Sequence, residues 1–189
     1  MSQKDWDKYY FDICNAVAKN SKCLSRKIGS IVVMDKSIIS TGYNGPPRGV
    51  PPCSERWTKD EYLRKCYKLD SAPPLTEEDL QLMIRDRKDL VEEMCPRRII
   101  GYGSGKGLDL CVAGHSERNS LINAARHGIA IKGAIMYMNC AVPCSPCLIE
   151  IINAGISEVV CTRISYYDGT AKYLVDNSGI KLRTYDFEM

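Results

Sequence analysis

The chain has 189 residues, of which 44% are hydrophobic, and its formal net charge is +3 at pH 7. A chain of this length buries about 70% of its unfolded surface, so it can fold without disulfides. No apolar run approaches the roughly 18 residues of a membrane span and no signal peptide is evident, so a cytoplasmic location is expected, and the small charge makes nucleic-acid binding an unfavoured function.

The first elements in chain order are a helix and a hairpin. The helix is indicated by apolar residues at three- and four-residue steps and is predicted to end near Asn20. Two short β-branched runs, 31–34 and 38–41, are separated by Asp35-Lys36-Ser37 and predict a β-hairpin. A loop rich in glycine and proline follows at 42–49.

The segment from about 54 to 110 is more highly charged and contains two helical patterns. The second starts with a capping box at Thr76 and Asp79 and is predicted to stop at Pro96. This segment is too short and polar to hold a core of its own, so it is predicted to be an insertion into a single domain covering 1–189.

Helical and strand patterns alternate after the insertion, with short links. We predict the elements 116–127 (helix), 134–138 (strand), 144–154 (helix), 158–161 (strand), 171–177 (helix) and 180–185 (strand). This alternation predicts an α/β domain with helices on both faces of one sheet.

Two short motifs carry the chemistry, His115-Ser116-Glu117 and Pro143-Cys144-Ser145-Pro146-Cys147. In a chain with ten cysteines a Cys-x-x-Cys pair alone is weak, but its combination with His-x-Glu is strong. Cys144 and Cys147 project from one side of a helix's first turn, where the positive end of the helix dipole favours thiolates. With His115 they make a three-ligand set that leaves a tetrahedral Zn²⁺ one open position for water.

Glu117 is two residues from His115, at the start of the same predicted helix. A carboxylate beside the metal, without being a ligand, can take a proton from the water and pass it on. The H-x-E and P-C-x-x-C pair is typical of zinc-dependent nucleobase deaminases.

On these motifs, and on the segments 26–32, 41–45 and 166–168, the chain resembles the cytidine and deoxycytidylate deaminase superfamily, particularly the members that act on dCMP. One departure is Ser116, where the family usually has alanine. The resemblance implies a cytidine-deaminase-like three-layer α/β/α fold with a mixed five-stranded sheet and a helical insertion. It also implies hydrolysis of dCMP to dUMP and ammonia, which supplies dUMP for thymidylate synthesis.

The same resemblance implies the substrate and effector contacts. Asn44 would meet the deoxyribose hydroxyl, while Arg126 and either Tyr167 or Tyr166 would face the 5′-phosphate. A hexamer would be activated by dCTP with Mg²⁺ and inhibited by dTTP. Residues Arg26, Asn44 and Gly45, with the glycine loop, are the candidates for the effector site.

Several alternatives remain open on the sequence alone. The site residues could form a closed structural zinc site with another cysteine as fourth ligand. A second, structural zinc could bind near Cys23, Cys53 or Cys111, with Cys66 and Cys95 as unliganded thiols. His127 is expected to be a cation at a helix C-terminus, and the run 101–107 a flexible link or a nucleotide-touching loop.

Two other functions compete with the leading one. The same chemistry could act on a base in tRNA or single-stranded nucleic acid. Alternatively, the protein could be a zinc-stabilised binding module without catalysis, which would unfold when its metal is removed.

Overall fold

A computed structural model describes residues 2–70, 76–103 and 105–187. The strands of the described residues are β1 Gly29–Met34, β2 Ser37–Tyr43, β3 Ile135–Met138, β4 Glu158–Cys161 and β5 Lys181–Thr184. The α-helices of the same residues are α1 Gln3–Ala18, α2 Arg56–Lys59, α3 Glu61–Asp70, α4 Glu77–Asp86, α5 Lys88–Glu93, α6 Pro96–Ile99, α7 Ser116–Arg126, α8 Ser145–Asn153 and α9 Gly169–Ser178. None of these helices combines the length and the apolar character needed to cross a membrane.

The chain divides into two compact units. The first unit comprises 1–21, 27–44 and 114–189, and the second comprises 22–26 and 45–113. The second unit is therefore wider than the insertion predicted at about 54–110. The prediction of one deaminase domain with an insertion stays a prediction.

The first unit is built on a mixed five-stranded sheet with the order β2-β1-β3-β4-β5. Antiparallel pairing joins β1 to β2 and to β3, while β3, β4 and β5 pair in parallel. The predicted hairpin is confirmed, and its turn holds Asp35 and Lys36 at positive φ of 49° and 62°. Left-handed backbone at both turn positions matches the twist of a two-residue hairpin.

Alternate residues along the strands belong to two apolar clusters, one on each face of the sheet. On one face, Ile31 and Tyr137 pack with α1 through Tyr10 and Cys14. On the other, Val32 and Met136 belong to a larger cluster that includes side chains of α7, α8 and α9. The unit thus has the predicted three-layer α/β/α architecture.

The second unit consists mainly of short helices, and the expectation that it holds no core was wrong. Trp57, Leu63, Leu80, Val91 and Leu110 are buried together, each 3% exposed or less. These apolar residues are far apart in a highly charged segment. The sequence shows that they are present, but it does not show that they pack together.

Helix boundaries in the second unit show where local signals worked. The capping box at Thr76 is confirmed, because its hydroxyl accepts from the Asp79 N–H while Asp79 accepts from the Thr76 N–H. The predicted continuous helix is interrupted at Arg87, which separates α4 from α5. The helix that was predicted to stop at Pro96 already ends at Glu93. Pro96 instead begins the short helix α6, because proline suits the first helical position.

Candidate metal centre and active site

Three side chains from two helix starts converge in the first unit. His115 is the N-cap of α7 and Cys144 is the N-cap of α8, while Cys147 lies in the first turn of α8. Both N-caps have extended backbone, which turns their side chains out of the helix and toward its open end. In the sequence, the two cysteines follow His115 by 29 and 32 residues. The packing of α7 against α8 brings the three side chains together.

The geometry of this cluster fits a tetrahedral metal ion. The Nδ1 atom of His115 lies 3.4 Å from the Cys144 sulfur and 3.3 Å from the Cys147 sulfur. Zinc at its usual distances from nitrogen and sulfur holds two such ligand atoms about 3.5 Å apart. Among the described residues no fourth His, Cys, Asp or Glu joins this group, in which all donor atoms lie within 4.8 Å of one another. The three-ligand arrangement is therefore favoured over the closed four-ligand site.

Ionisation of the cluster is coupled. The hydrogen bond between the two thiols lowers the pKa of Cys144, to about 4, and raises the pKa of Cys147, whose burial acts in the same direction. The hydrogen bond with Cys144 raises the pKa of His115, and the charge of Glu117 contributes to that rise. The pair of thiols thus gives up its first proton readily, as a cation-binding site requires.

Glu117 lies in the first turn of α7, next to the cluster. Its charge raises the pKa of both His115 and Cys147, which places the carboxylate near the two ligands. The side chain is 5% exposed, and its Oε2 accepts a hydrogen bond of 2.7 Å from the Ser116 hydroxyl. A buried carboxylate beside three metal-binding atoms is the arrangement that the motif predicted.

Strand β2 fixes the position of α7. A Cβ atom at Gly42 would lie 2.3 Å from both the Ser116 carbonyl oxygen and the Ser120 nitrogen, so only glycine lets the helix start approach the strand this closely. The side-chain amides of Asn119 and Asn123 donate to the carbonyls of Tyr43 and Thr41, each at 2.8 Å. These contacts between β2 and α7 were not predicted from the sequence. A glycine within a β-branched strand does, however, indicate a place where another backbone approaches closely.

Asn44, the predicted contact of the deoxyribose, is 6% exposed. Its side-chain oxygen accepts from the Ile28 N–H at 2.8 Å, and its own N–H donates to the Ile28 carbonyl at 3.1 Å. These bonds join the end of β2 to the residue before β1. The sugar contact stays a prediction.

The structure separates the two candidate tyrosines for the phosphate. Tyr166 is half-buried and packs against the larger apolar cluster, whereas Tyr167 is 50% exposed. The next residue, Asp168, caps α9 and accepts from the Ser145 hydroxyl at 2.5 Å. This bond ties the tyrosine segment to the helix that carries Cys144 and Cys147. Tyr167 is the more exposed of the two tyrosines, and a phosphate contact of either one stays a prediction.

Arg126 and His127 lie at the other end of α7 from the cluster. Arg126 is exposed in the last turn, with Nη2 3.4 Å from the His127 Nε2 atom. The eleven residues from His115 to Arg126 span about 16 Å along the axis. His127 is the helix C-cap, as expected, and Gly128 ends the helix with a φ of 66°. The phosphate contact of Arg126 stays a prediction.

The predicted effector residues are divided between the units. Arg26 and Gly45 belong to the second unit and Asn44 to the first. In the glycine-rich run 101–107, Gly101, Gly105 and Gly107 have positive φ, and Ser104 lies outside the described residues. Neither the effector site nor the role of this run is tested by these observations.

Four further cysteines, Cys23, Cys53, Cys95 and Cys111, lie in the second unit. Burial raises the pKa of the Cys53 thiol to about 11, and the charges of Cys95, Cys23 and Cys111 each add to the rise, Cys95 the most. Electrostatic effects of this kind place the other three sulfurs in the neighbourhood of the Cys53 sulfur. Among the described residues, these cysteines do not form a group of three or more donor atoms within 4.8 Å of one another, as His115, Cys144 and Cys147 do. Cys95 has the largest of these effects on Cys53, and the expectation that Cys95 is an unliganded thiol stays a prediction.

Comparison with known proteins gives consistent matches. The family described as "cytidine and deoxycytidylate deaminase zinc-binding region" matches residues 4–163. A deoxycytidylate deaminase of Mycobacterium phage D29 is 31% identical over 165 residues, which are 85% of this chain and 96% of the relative. A deoxycytidylate deaminase of Schizosaccharomyces pombe is 29% identical over 180 residues, which are 95% of this chain and 44% of the relative.

The chain spans about half the length of the fungal relatives, 44% of the protein from S. pombe and 47% of that from Saccharomyces cerevisiae. Among solved structures, the dCMP deaminase of cyanophage S-TIM5 superimposes with a TM-score of 0.59 at 18% identity, covering 94% of this chain and 95% of that one. This likeness confirms the cytidine-deaminase-like fold. The match over residues 4–163 and the phage D29 relative together show that the chain belongs to the cytidine and deoxycytidylate deaminase family.

Proposed function

We propose that this protein catalyses the hydrolytic deamination of dCMP to dUMP and ammonia with a zinc ion held by His115, Cys144 and Cys147. The observation that carries the proposal is the convergence of these three donors with a buried carboxylate, Glu117, beside them. The relatives named deoxycytidylate deaminase support the choice of substrate.

The donor set fits zinc, because one imidazole and two thiolates leave one coordination position for water. When bound, zinc supplies Lewis-acid chemistry that lowers the pKa of a water molecule to about 7. Glu117 would accept one proton from this water as the C4–O bond forms and would deliver it to N3 of the ring. It would then take the second proton, from the new C4 hydroxyl, and deliver it to the amino group, so that the C4 carbonyl forms, the C4–N bond breaks and ammonia leaves.

The 5% exposure of Glu117 suits this role. A carboxylate that is shielded from bulk water passes its proton to the substrate rather than to solvent. The backbone around it is also held, since the Ser120 hydroxyl donates to the Glu117 carbonyl at 2.7 Å.

Recognition of the nucleotide is assigned to three regions of the first unit. Tyr167 contacts the 5′-phosphate through its exposed hydroxyl, and Asn44 contacts the deoxyribose. Arg126 stays a second candidate for the phosphate, although it is three turns from His115 on α7. The exposure of Tyr167 favours it over Tyr166, and the hydrogen bond between Asp168 and Ser145 fixes the segment that holds both tyrosines to the metal-binding helix.

Regulation forms a separate part of the proposal. The enzyme is a hexamer that dCTP with Mg²⁺ activates and dTTP inhibits, and it supplies dUMP for thymidylate synthesis in the cytoplasm. Arg26, Asn44 and Gly45 are its effector contacts. Sigmoidal dependence on dCMP that becomes hyperbolic with dCTP and Mg²⁺ is expected, and hyperbolic kinetics without effector would contradict it.

We also propose that Cys23, Cys53, Cys95 and Cys111 hold a second, structural zinc ion in the second unit. Four cysteine thiolates are a common structural zinc set. The effects of the other three thiols on the pKa of Cys53 support their proximity to it. Zinc would have to draw these thiols closer, because, unlike His115, Cys144 and Cys147, they do not form a group of described donor atoms within 4.8 Å of one another.

The activity is tested with the zinc-loaded protein and four substrates, dCMP, CMP, dCTP and deoxycytidine, with release of ammonia as the readout. Deamination of dCMP above the others is expected, and loss of about 10² to 10⁴ in rate is expected for Glu117→Gln with zinc retained. No turnover of dCMP, with and without dCTP, would refute the proposal. Turnover of a tRNA or single-stranded oligonucleotide in its place would favour the polymer substrate.

A further inference from the structure

We propose that Ser116 is a positioning residue that holds the Glu117 carboxylate in its working orientation through a hydrogen bond to Oε2. The inference rests on the proposed function, in which Glu117 moves the protons. It assigns a role to a residue that is neither a metal donor nor a substrate contact.

The contact is buried and short. The Ser116 hydroxyl donates to Oε2 of Glu117 at 2.7 Å, with Ser116 fully buried and Glu117 5% exposed. A hydrogen bond to a charged oxygen is about twice as strong as one between neutral groups, and exclusion of water strengthens it further. Little water is available to replace the serine hydroxyl if it is removed.

The contact is also unusual for neighbours on a helix. Side chains at adjacent helical positions do not normally face each other. Ser116 and Glu117 are the first two residues of α7, and their side chains meet there. The Glu117 carboxylate thus contacts the first residue of the helix, which follows the N-cap His115 directly.

This arrangement divides the two carboxylate oxygens between two tasks. Oε2 is occupied by the serine hydroxyl, so Oε1 is left for proton transfer. A glutamate side chain has several rotatable bonds, and fixing it in the ground state avoids that ordering cost during the reaction. Because proton transfer depends on this alignment, loss of the hydroxyl is expected to lower kcat much more than it changes KM.

The experiment compares Ser116→Ala with Ser40→Ala. Both serines are buried, but Ser40 lies on β2 and its hydroxyl donates to the Ser120 carbonyl, at 2.7 Å, rather than to the carboxylate. Ser116→Ala is expected to lower kcat for dCMP about tenfold, with KM within twofold and zinc content unchanged, as for loss of one hydrogen bond to a charged group. Ser40→Ala is expected to lower stability with kcat within twofold.

A double substitution tests whether Ser116 affects kcat through Glu117. In a Glu117→Ala background, Ser116→Ala is expected to cause no further loss of the residual rate, since its partner is already gone. A further tenfold loss there, or equal losses of kcat in the two serine variants, would overturn the positioning role.

A second readout does not depend on turnover. In crystals of the zinc-loaded protein, Oε2 of Glu117 is expected within hydrogen-bond distance of the Ser116 hydroxyl, and Ser116→Ala is expected to release the carboxylate into other rotamers. An unchanged carboxylate in the variant would overturn the inference even if the wild type deaminates dCMP. If the wild type does not act on dCMP, the proposed function fails, and the crystal comparison alone decides whether Ser116 orients Glu117.

Discussion

The cysteines of the two units lie in different environments. In the first unit, two cysteines and a histidine stand at helix starts on a sheet that buries apolar residues on both faces, with a carboxylate beside them. In the second unit, Cys23, Cys95 and Cys111 lie near Cys53, and the apolar cluster is smaller. If the proposed zinc ions bind, we expect the first unit to fold without its metal and to need it for chemistry, and the second unit to need its metal to stay folded.

Metal removal is the largest test of this contrast. Chelation of zinc is expected to abolish activity and to remove hydrogen-exchange protection from 45–113, while β1, β3 and β4 stay protected. The reason is that the binding of a structural zinc provides about 10 to 16 kcal/mol of folding free energy, whereas a catalytic zinc sits on a preformed scaffold. Hydrogen exchange read by mass spectrometry, peptide by peptide, measures both regions in one sample.

Two other results of that experiment would contradict the contrast. Simultaneous loss of protection in both units would mean that the first unit also depends on metal. Retained protection in 45–113 would mean that the apolar cluster there is sufficient without zinc.

Substitution within the thiol group separates the two metals. Cys95→Ser is expected to reduce the zinc content from two ions to one per chain and to destabilise the second unit, because a serine oxygen is a poor replacement for a thiolate ligand. Elemental analysis gives the stoichiometry, and proteolysis within 45–113 gives the stability. The matched control is Cys66→Ser, which changes a half-buried cysteine of the same unit and is expected to leave both zinc ions bound. One zinc per wild-type chain would remove the second site.

Gly42→Ala tests whether the first unit's scaffold positions the site. The added Cβ would lie 2.3 Å from backbone atoms of Ser116 and Ser120, so α7 must move away from β2. Overpacking against backbone is expected to cost about 3 kcal/mol or more in the free energy of unfolding. Activity is expected to fall further than in a variant of equal stability altered elsewhere, since His115 and Glu117 travel with α7.

Gly169→Ala is the control for the glycine substitution. Nothing lies within 4 Å of a Cβ at that position, which is the first residue of α9. Alanine there is expected to be neutral or to stabilise by up to about 1 kcal/mol. Thermal unfolding and kcat, measured for both variants, compare the effects of Gly42→Ala and Gly169→Ala. Equal effects of the two substitutions would show that α7 can move away from β2 without cost.

The sequence predicted the regular parts of the first unit well. The glycines at 128, 155 and 179 ended their helices as expected, each with positive φ, because helix C-termini favour left-handed glycine. His115, Cys144 and Cys147 were identified because metal chemistry constrains both residue type and spacing. Their convergence with Glu117 then followed from the positions of two helix starts.

The sequence was less informative where long-range packing decides the outcome. The core of the second unit and the place of Cys95 beside Cys53 depend on which short helices meet, and no local pattern encodes that. The contact of Ser116 with Glu117 was missed for a related reason, since adjacent helical residues are not expected to touch. The distance of Arg126 from the cluster follows from the helix rise, and only the structure shows that α7 runs unbroken between them.

An effect on stability alone is expected at the ion pairs that join α1 to the sheet of the first unit. Asp7 is fully buried, and both its oxygens accept from the Arg183 guanidinium, at 2.5 and 2.9 Å. Burial raises the pKa of Asp7, but the hydrogen bonds from Arg183, the Asp186 N–H and Gln3 outweigh it, so its pKa lies below the ordinary value. The Asp7 carboxylate therefore stabilises the fold above about pH 4, and this contribution is lost as the pH falls through the lower pKa of the folded state.

Asp7→Asn is expected to lower the free energy of unfolding by about 2 to 4 kcal/mol at pH 7, because it leaves Arg183 with one carboxylate partner, Glu158. The loss should shrink below about pH 4, where the Asp7 carboxyl of the unfolded chain becomes protonated, and it should disappear once the pH falls below the lower pKa of Asp7 in the folded state. Urea unfolding of the zinc-loaded protein at pH 7 and at low pH measures the difference. If the first unit is fastened by these contacts rather than by metal, the effect of Asp7→Asn on its unfolding persists after chelation. An effect that disappears with the metal would mean that zinc, and not the ion pair, holds α1 against the sheet.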